Sequence, residues 1–243
     1  MGRAGLFVAE GRVVVEKLLG SALHQTLSLL IASKRVNSLH SVLSRLSDEV
    51  PVYVAAQKVI DGIAGFPLHR GILAIGRRTD VPTADDLLSE YGGSATILVL
   101  SGIANHDNMG GIFRNAAAFG VNAVLLDADC CDPLYRKAIR VSVGATLLVP
   151  FAQMARQDDA VELLERHAFS PVALSPAGTR PLMEWRPGPR TAVLLGAEGP
   201  GLSADLVRRM PSVQIAMSAG FDSLNVATTS GIVLHHISAC PAA

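Results

Sequence analysis

Residues 191–202 read Thr191-Ala192-Val193-Leu194-Leu195-Gly196-Ala197-Glu198-Gly199-Pro200-Gly201-Leu202, an apolar run that ends in a glycine-rich, acid-bearing loop. The run has the make-up of a strand buried on both faces, and such strands belong to parallel sheets. In open α/β sheets, ligands lie beyond the carboxyl ends of the strands. The loop therefore sits where a ligand is expected. It lacks the GxGxxG order of a dinucleotide site and the Gly-Lys-Ser/Thr of a phosphate loop, which disfavours a Rossmann oxidoreductase. Its glycines still allow backbone amides and carbonyls to approach an adenine or a ribose. Taken alone, Glu198 reads equally well as an exposed loop carboxylate.

Working outward, strand-like and helix-like segments alternate along the chain. Residues 95–103, 121–126, 147–150, 171–174 and 213–217 read as further strands, and residues 109–119, 135–143, 155–168, 204–210 and 224–239 as helices. Strands separated by helices of this size imply a parallel α/β sheet. Ahead of them, residues 26–32, 50–56 and 71–76 read as strands and 10–19, 39–46 and 57–63 as short helices. The stretch Arg77-Arg78-Thr79-Asp80-Val81-Pro82 combines charge with proline and reads as a linker. Thr83 before Asp85 and Asp86 marks a helix start. The organisation expected is a front domain at 1–78, a linker and first helix at 79–94, and a second domain at 95–243.

Two more strand exits carry polar, glycine-bearing sequence. After Ile103 comes Ala104-Asn105-His106-Asp107-Asn108-Met109-Gly110-Gly111-Ile112-Phe113-Arg114. Asn108 is read at the helix start, Arg114 on its second turn, and Gly110 and Gly111 as removing side chains that would block a close ligand. A capping Asn, two packing glycines and a surface Arg are the bland reading. After Met217 comes Ser218-Ala219-Gly220-Phe221-Asp222-Ser223-Leu224-Asn225, in which Ser223 and Asn225 stand at a helix N-terminus and capping explains them equally well.

Composition bounds the partners. Apolar residues at 49% against 17% charged supply a core and exclude disorder. Net charge is zero, so the chain does not coat nucleic acid by bulk charge. Charge is uneven, however: residues 1–80 hold ten Lys/Arg against six acids, an excess of four that fits an acidic partner such as RNA or a chance partition of surface charge. Cys130, Cys131 and Cys240 offer neither metal-ligand spacing nor a disulfide framework, and a reducing cytoplasm suits them. No apolar run approaches the roughly 20 residues a membrane span needs.

Taken together, the three exits resemble the SpoU (TrmH-like) family of RNA ribose methyltransferases within the SPOUT class. The resemblance rests on Asn108-Met109-Gly110 with Arg114 and Ala118-Phe119-Gly120, on residues 196–202, and on Ile215-Ala216-Met217 followed by Ser223-Leu224-Asn225-Val226 and Gly231-Ile232. Arg140-Val141-Ser142-Val143-Gly144-Ala145 matches a further family element, and the likeness spans about residues 95–240. More loosely, Phe7-Val8-Ala9-Glu10-Gly11 and His69-Arg70-Gly71-Ile72-Leu73-Ala74 resemble the ribosomal-protein-like substrate-binding domain often fused ahead of it. Asn105-His106 replaces the family's usual Asp-Pro, and Ala227-Thr228-Thr229 its usual Ser-Val-Ala. A leading segment of many relatives is expected to be absent.

The resemblance implies an α/β fold with a trefoil knot in the second domain, a homodimer through the knot region, and S-adenosylmethionine as methyl donor. It implies a ribose 2′-hydroxyl of tRNA or rRNA as acceptor, and no metal. Gly196, Ala197, Gly201, Ile215, Met217 and Leu224 would surround the cofactor. Arg114 would be the base or activator, oriented by Asn108, with Glu198, Ser223 and Asn225 completing the site. Lys34, Arg35 and Arg70 would contact RNA, and the last helix, with Val226, Ile232, Val233 and Leu234, is apolar enough to bury. A SPOUT enzyme acting on a base nitrogen and a non-catalytic RNA-binding relative are the alternatives.

Overall fold

The computed structural model describes residues 5–65, 67–68, 70–79, 82–156, 159–218, 220 and 223–240. Asp80 and Val81 of the expected linker, His69 of the front motif, and Ala219, Phe221 and Asp222 of the third exit lie outside the described residues.

The front of the chain forms a four-stranded sheet from β1 (Leu6–Glu10), β2 (His24–Ala32), β3 (Val52–Ala55) and β4 (Ile72–Arg78), in the order β1-β4-β2-β3. β1 is a strand that the sequence pattern does not announce. It pairs antiparallel with β4, Leu6 opposite Arg77, and this pairing carries β4 two residues past residue 76. Arg77 and Arg78 are therefore sheet residues, not linker. Helices α1 (Arg12–Leu19) and α2 (His40–Leu43) cover one face, and α3 (Gln57–Ala64) the other, where Ile60 meets Ala32, Leu68 and Leu73.

Behind it, among the described residues, lies a seven-stranded, all-parallel sheet. Its strands are β5 (Ala95–Ser101), β6 (Ala123–Leu126), β7 (Phe151–Gln153), β8 (Ser170–Leu174), β9 (Arg180–Pro181), β10 (Arg190–Gly196) and β11 (Ser212–Gln214), ordered β7-β6-β5-β10-β8-β11-β9. The helices are α4 (Ala84–Ser89), α5 (His106–Ala118), α6 (Arg136–Val141), α7 (Ala160–Arg166), α8 (Ala204–Arg208) and α9 (Val226–Ala239). The apolar strands serve two cores, because alternate side chains point to opposite faces. Leu98, Leu100, Val193 and Leu195 join the face under α5, α6 and α9. Ile97, Val99, Ala192 and Leu194 join the face under α4 and α7. Side chains set the helix starts: Thr83, Asp159, Ser203 and Asn225 each accept a hydrogen bond from a backbone N–H in the first turn.

Residues 147–150, expected as a strand, instead close a 3₁₀ turn (Ala145–Leu147), and the strand begins at Phe151. Val143 (φ 53°) and Gly144 (φ 78°) both take left-handed backbone just before it, which ends α6 sharply and uses up the residues that would have started an earlier strand. The front sheet docks on this turn. The Lys17 ammonium donates to the Val143 carbonyl at 2.7 Å, and the Ser21 hydroxyl to the Leu147 carbonyl at 2.7 Å. Glu10, nearly buried, pairs with Arg136 at 3.0 Å, and Arg78 with Asp132 at 2.8 Å. Phe7, Val14, Val15 and Leu18 merge with Ile139 and Leu147 into one apolar core. Among the described residues, no helix is long and apolar enough to cross a membrane.

Candidate functional site

Three strand exits converge at the carboxyl edge of the large sheet. After β10 the chain turns back at once: Gly201 N–H donates to the Ala197 carbonyl at 3.0 Å, with Gly199 and Gly201 at positive φ. Gly196 lies so close beneath the returning strand that a Cβ there would stand 2.3 Å from the Gly201 carbonyl carbon and the Leu202 nitrogen. No other residue fits without moving backbone. The folded-back loop walls a cavity of about 530 Å³, lined by Gly196, Ala197, Glu198, Gly201, Ile215, Met217, Ser223, Leu224 and Asn225 among others. All six residues expected around the cofactor therefore line this one cavity.

Asn225 ties the exits together. Its side-chain oxygen accepts from the Ala227 and Thr228 backbone N–H groups at 2.9 and 3.2 Å and so caps α9. Its amide nitrogen donates to Asn108 Oδ1 at 2.8 Å and to Glu198 Oε1 at 3.0 Å. Capping and site-building are thus one role, not competing ones. Asn108 is not the helix start. Asn105 caps α5, accepting from Asp107 N–H at 2.8 Å, and Asn108 lies buried inside the first turn.

The expectation for the glycines of α5 is corrected. Gly110 and Gly111 make room for helices, not for a ligand: a Cβ on Gly110 would meet Val141 Cβ at 2.7 Å, and one on Gly111 would meet Ala227 Cβ at 2.7 Å. Arg114 is exposed, does not line the cavity, and among the described residues makes no hydrogen bond or ion pair. It lies near Lys17, whose ammonium pKa is pushed down by burial and then by the Arg114 charge. Of the last helix, Val226, Val233 and Leu234 are buried while Ile232 stays 37% exposed. Lys34, Arg35 and Arg70 are exposed; Arg35 packs over Gly71 and Arg70 over Gly11, so these two flank one turn of the front sheet.

The family is matched over residues 95–235 by the description "SpoU rRNA Methylase family". An uncharacterised tRNA/rRNA methyltransferase of Mycobacterium bovis is 38% identical over 235 residues, 95% of this chain and 80% of its own length. The chain belongs to the SpoU rRNA methylase family. It is an RNA methyltransferase. A 23S rRNA (guanosine-2′-O-)-methyltransferase of Acinetobacter baylyi is 27% identical over 228 residues, covering 91% of this chain and 92% of its own length. In fold, the chain is similar to an AdoMet-bound rRNA methyltransferase from Sinorhizobium meliloti, with a TM-score of 0.81 at 23% identity over 96% of this chain and 87% of that one.

In this SpoU-family enzyme, several supporting residues escape the sequence reading. Asp127, after β6, accepts from Ser101 Oγ at 2.7 Å and Gly102 N–H at 2.9 Å, pinning the exit of β5. Burial alone would raise its pKa; the hydrogen bonds from Gly102, Ser101, Cys130 and Asp129 outweigh it and hold the carboxyl below its ordinary value. Asn115 clamps α5 to α9 through the Ala227 carbonyl (2.7 Å) and Ser230 Oγ (2.9 Å). Leu174, Ser175 and Pro176 close the cavity from the end of β8. The signal for this fourth exit is Gly178, where a Cβ would stand 2.4 Å from the Val213 carbonyl carbon.

Proposed function

We propose that this enzyme transfers the methyl group to a ribose 2′-hydroxyl of tRNA or ribosomal RNA. The observation that carries the reading is the hydrogen-bonded set Asn108–Asn225–Glu198 at the wall of the glycine-lined cavity. The donor fits that cavity. Leu195, Ile215, Leu224 and Val226 offer apolar walls for a heterocycle, and Gly196 and Gly201 bring backbone close enough to replace side-chain contacts. The bound cofactor supplies a methyl group on a positive sulfur. The names of the Mycobacterium and Acinetobacter relatives support RNA, and a guanosine 2′-oxygen in the second case.

The chain's own groups must align the acceptor oxygen and relieve it of its proton. Asn108 and Glu198, held by Asn225, orient the ribose, and Ser223 completes the wall. Arg114 activates the hydroxyl. A guanidinium deprotonates only above about pH 12, so a charged Arg114 that grips the neighbouring phosphate and polarises the hydroxyl asks less of the protein than a neutral one. Arg114 does not reach the cavity of its own chain, which supports a homodimer whose second copy supplies it; the half-exposed Ile232 on α9 supports the same face. The family to which the chain belongs supports a trefoil knot in the second domain, a rare topology. The front sheet, as a domain of residues 1–78, holds RNA through Lys34, Arg35 and Arg70. The cytoplasm is the compartment that suits both substrate and three free thiols.

The test has two arms. S-adenosylhomocysteine should raise the melting temperature, because it binds only the folded chain. Incubation with rRNA, tRNA and labelled donor, followed by alkaline cleavage, should leave an uncleaved bond at one nucleotide. A methyl group found on a base would overturn the ribose assignment.

A further inference from the structure

A second cavity, of about 400 Å³, opens between β1 and the segment after β6, with Phe7, Arg78, Asp132, Tyr135 and Arg136 in its walls. Nothing in the methyl-transfer reading uses it. Tyr135 is 49% exposed, yet its ring lies against His106, centroids 4.2 Å apart and tilted by 38°. An exposed aromatic already held by a neighbour is a pre-ordered stacking surface, since the freedom a ligand would otherwise remove is already gone.

Asp132 is half used. Its Oδ1 accepts from Arg78 Nη2 at 2.8 Å and from the Leu134 N–H at 2.9 Å. Its Oδ2 is buried and, among the described residues, receives no hydrogen bond, an arrangement that is costly until a donor arrives. Both cations in the wall face carboxylates, Arg136 against Glu10 and Arg78 against Asp132. A ring surface, a waiting acceptor and neutralised cations suit an uncharged heterocycle with an N–H edge better than a phosphate.

The position matches the chemistry. Along the carboxyl edge, the first cavity spans β11, β8 and β10. Next comes β5, whose exit carries His106 and, two residues on, the Asn108 bonded to Asn225. Then comes β6, whose exit carries Asp132 and Tyr135. A single strand of RNA leaving the first cavity along this edge meets His106 and then the second cavity.

We infer that this cavity receives one unpaired nucleobase of the RNA substrate, stacked on Tyr135 and read by Asp132. Single-stranded RNA is recognised in this way, by stacking on aromatic rings and by hydrogen bonds to base edges. Adenine, cytosine and guanine present an amino group to the carboxylate. Uracil presents one N–H between two carbonyl oxygens, which the carboxylate repels. The inference rests on the RNA reading above.

The test measures binding of short labelled oligoadenylate, oligocytidylate and oligouridylate by the full chain with S-adenosylhomocysteine bound. The wild type should prefer the first two. Tyr135→Ala should weaken both by about tenfold, Tyr135→Phe should restore them, and cofactor affinity should be the same in all three proteins. Equal RNA affinity of Tyr135→Ala and wild type, or no preference over oligouridylate, overturns the inference. So does a Tyr135→Ala variant that changes its sedimenting mass but not its RNA affinity, which would make this a protein interface. Methyl transfer by the wild type to rRNA is scored separately, and its absence overturns the function instead.

Discussion

Arg114 stands exposed on α5 near Lys17 and does not line the glycine-walled cavity. Since it lies outside the cavity proposed for the donor, Arg114→Ala should abolish methyl transfer while leaving S-adenosylhomocysteine affinity unchanged by calorimetry. Arg114→Lys should also be severely impaired, because an ammonium lacks the planar fork; near-normal turnover in either variant would remove Arg114 from the reaction. His24 gives a different handle. Burial and then the Arg78 charge push its pKa down from 6.5 to about 4, and both ring nitrogens are buried without partners among the described residues. The folded chain holds His24 neutral while the unfolded chain takes up a proton below pH 6.5. Stability is therefore complete above that pH and falls as pH drops toward about 4. His24→Leu should flatten this part of the urea-midpoint profile and leave neutral-pH stability unchanged or slightly higher, since two unpaired groups disappear. Residue roles are legible where composition alone marks them: glycines and an acid in residues 196–202 make a tight turn that lines a cavity. They are illegible where the partner is remote. Asn105, Asp107 and Asn108 are all good caps, and what removes Asn108 from that duty is Asn225, far along the chain.

Helix packing separates two glycines that look alike in sequence. Gly110 in α5 and Gly62 in α3 both sit mid-helix, where Ala is favoured by about 1 kcal/mol. A Cβ on Gly110 would stand 2.7 Å from Val141 Cβ and 2.8 Å from the Ala138 carbonyl, whereas one on Gly62 meets nothing within 4 Å. Overpacking costs about 1–3 kcal/mol and here opposes rigid backbone, so it outweighs the propensity gain. Gly110→Ala should lower the melting temperature by several degrees and Gly62→Ala should raise it slightly, at roughly 2–4 °C per kcal/mol for a chain of this size. Calorimetry on the pair decides; a stabilised Gly110→Ala would mean that α6 moves freely. The strands of the parallel sheet are readable because burial on both faces leaves an unbroken apolar run. β1 is not, since its apolar run, residues 6–9, is short and stops at Glu10, and residues 147–150 mislead because an apolar stretch after a left-handed turn reads the same whether it is coil or strand.

At the scale of the whole molecule, the basic excess of residues 1–80 should express itself as salt-sensitive RNA binding. Neutralising Lys34, Arg35 and Arg70 together should shallow the plot of log affinity against log salt by roughly 0.7–0.9 for each phosphate no longer neutralised. Cofactor affinity should not change. Identical slopes for variant and parent would leave RNA to the rear sheet alone. The front and rear groups of strands are legible in the sequence because charge and proline interrupt the pattern between them. How the two sheets join is not legible, because it depends on hydrogen bonds from Lys17 and Ser21 to carbonyls in a turn that no local pattern announces. That union bears on how target choice can diversify. A foreign front half grafted onto this rear half would strip the Val143 and Leu147 carbonyls of their donors and uncover the apolar patch around Ile139. Chimeras should therefore misfold or aggregate unless the incoming piece brings its own equivalents of Lys17, Ser21 and Glu10, and new targets are reached more readily by altering exposed positions within the existing front sheet than by exchanging it.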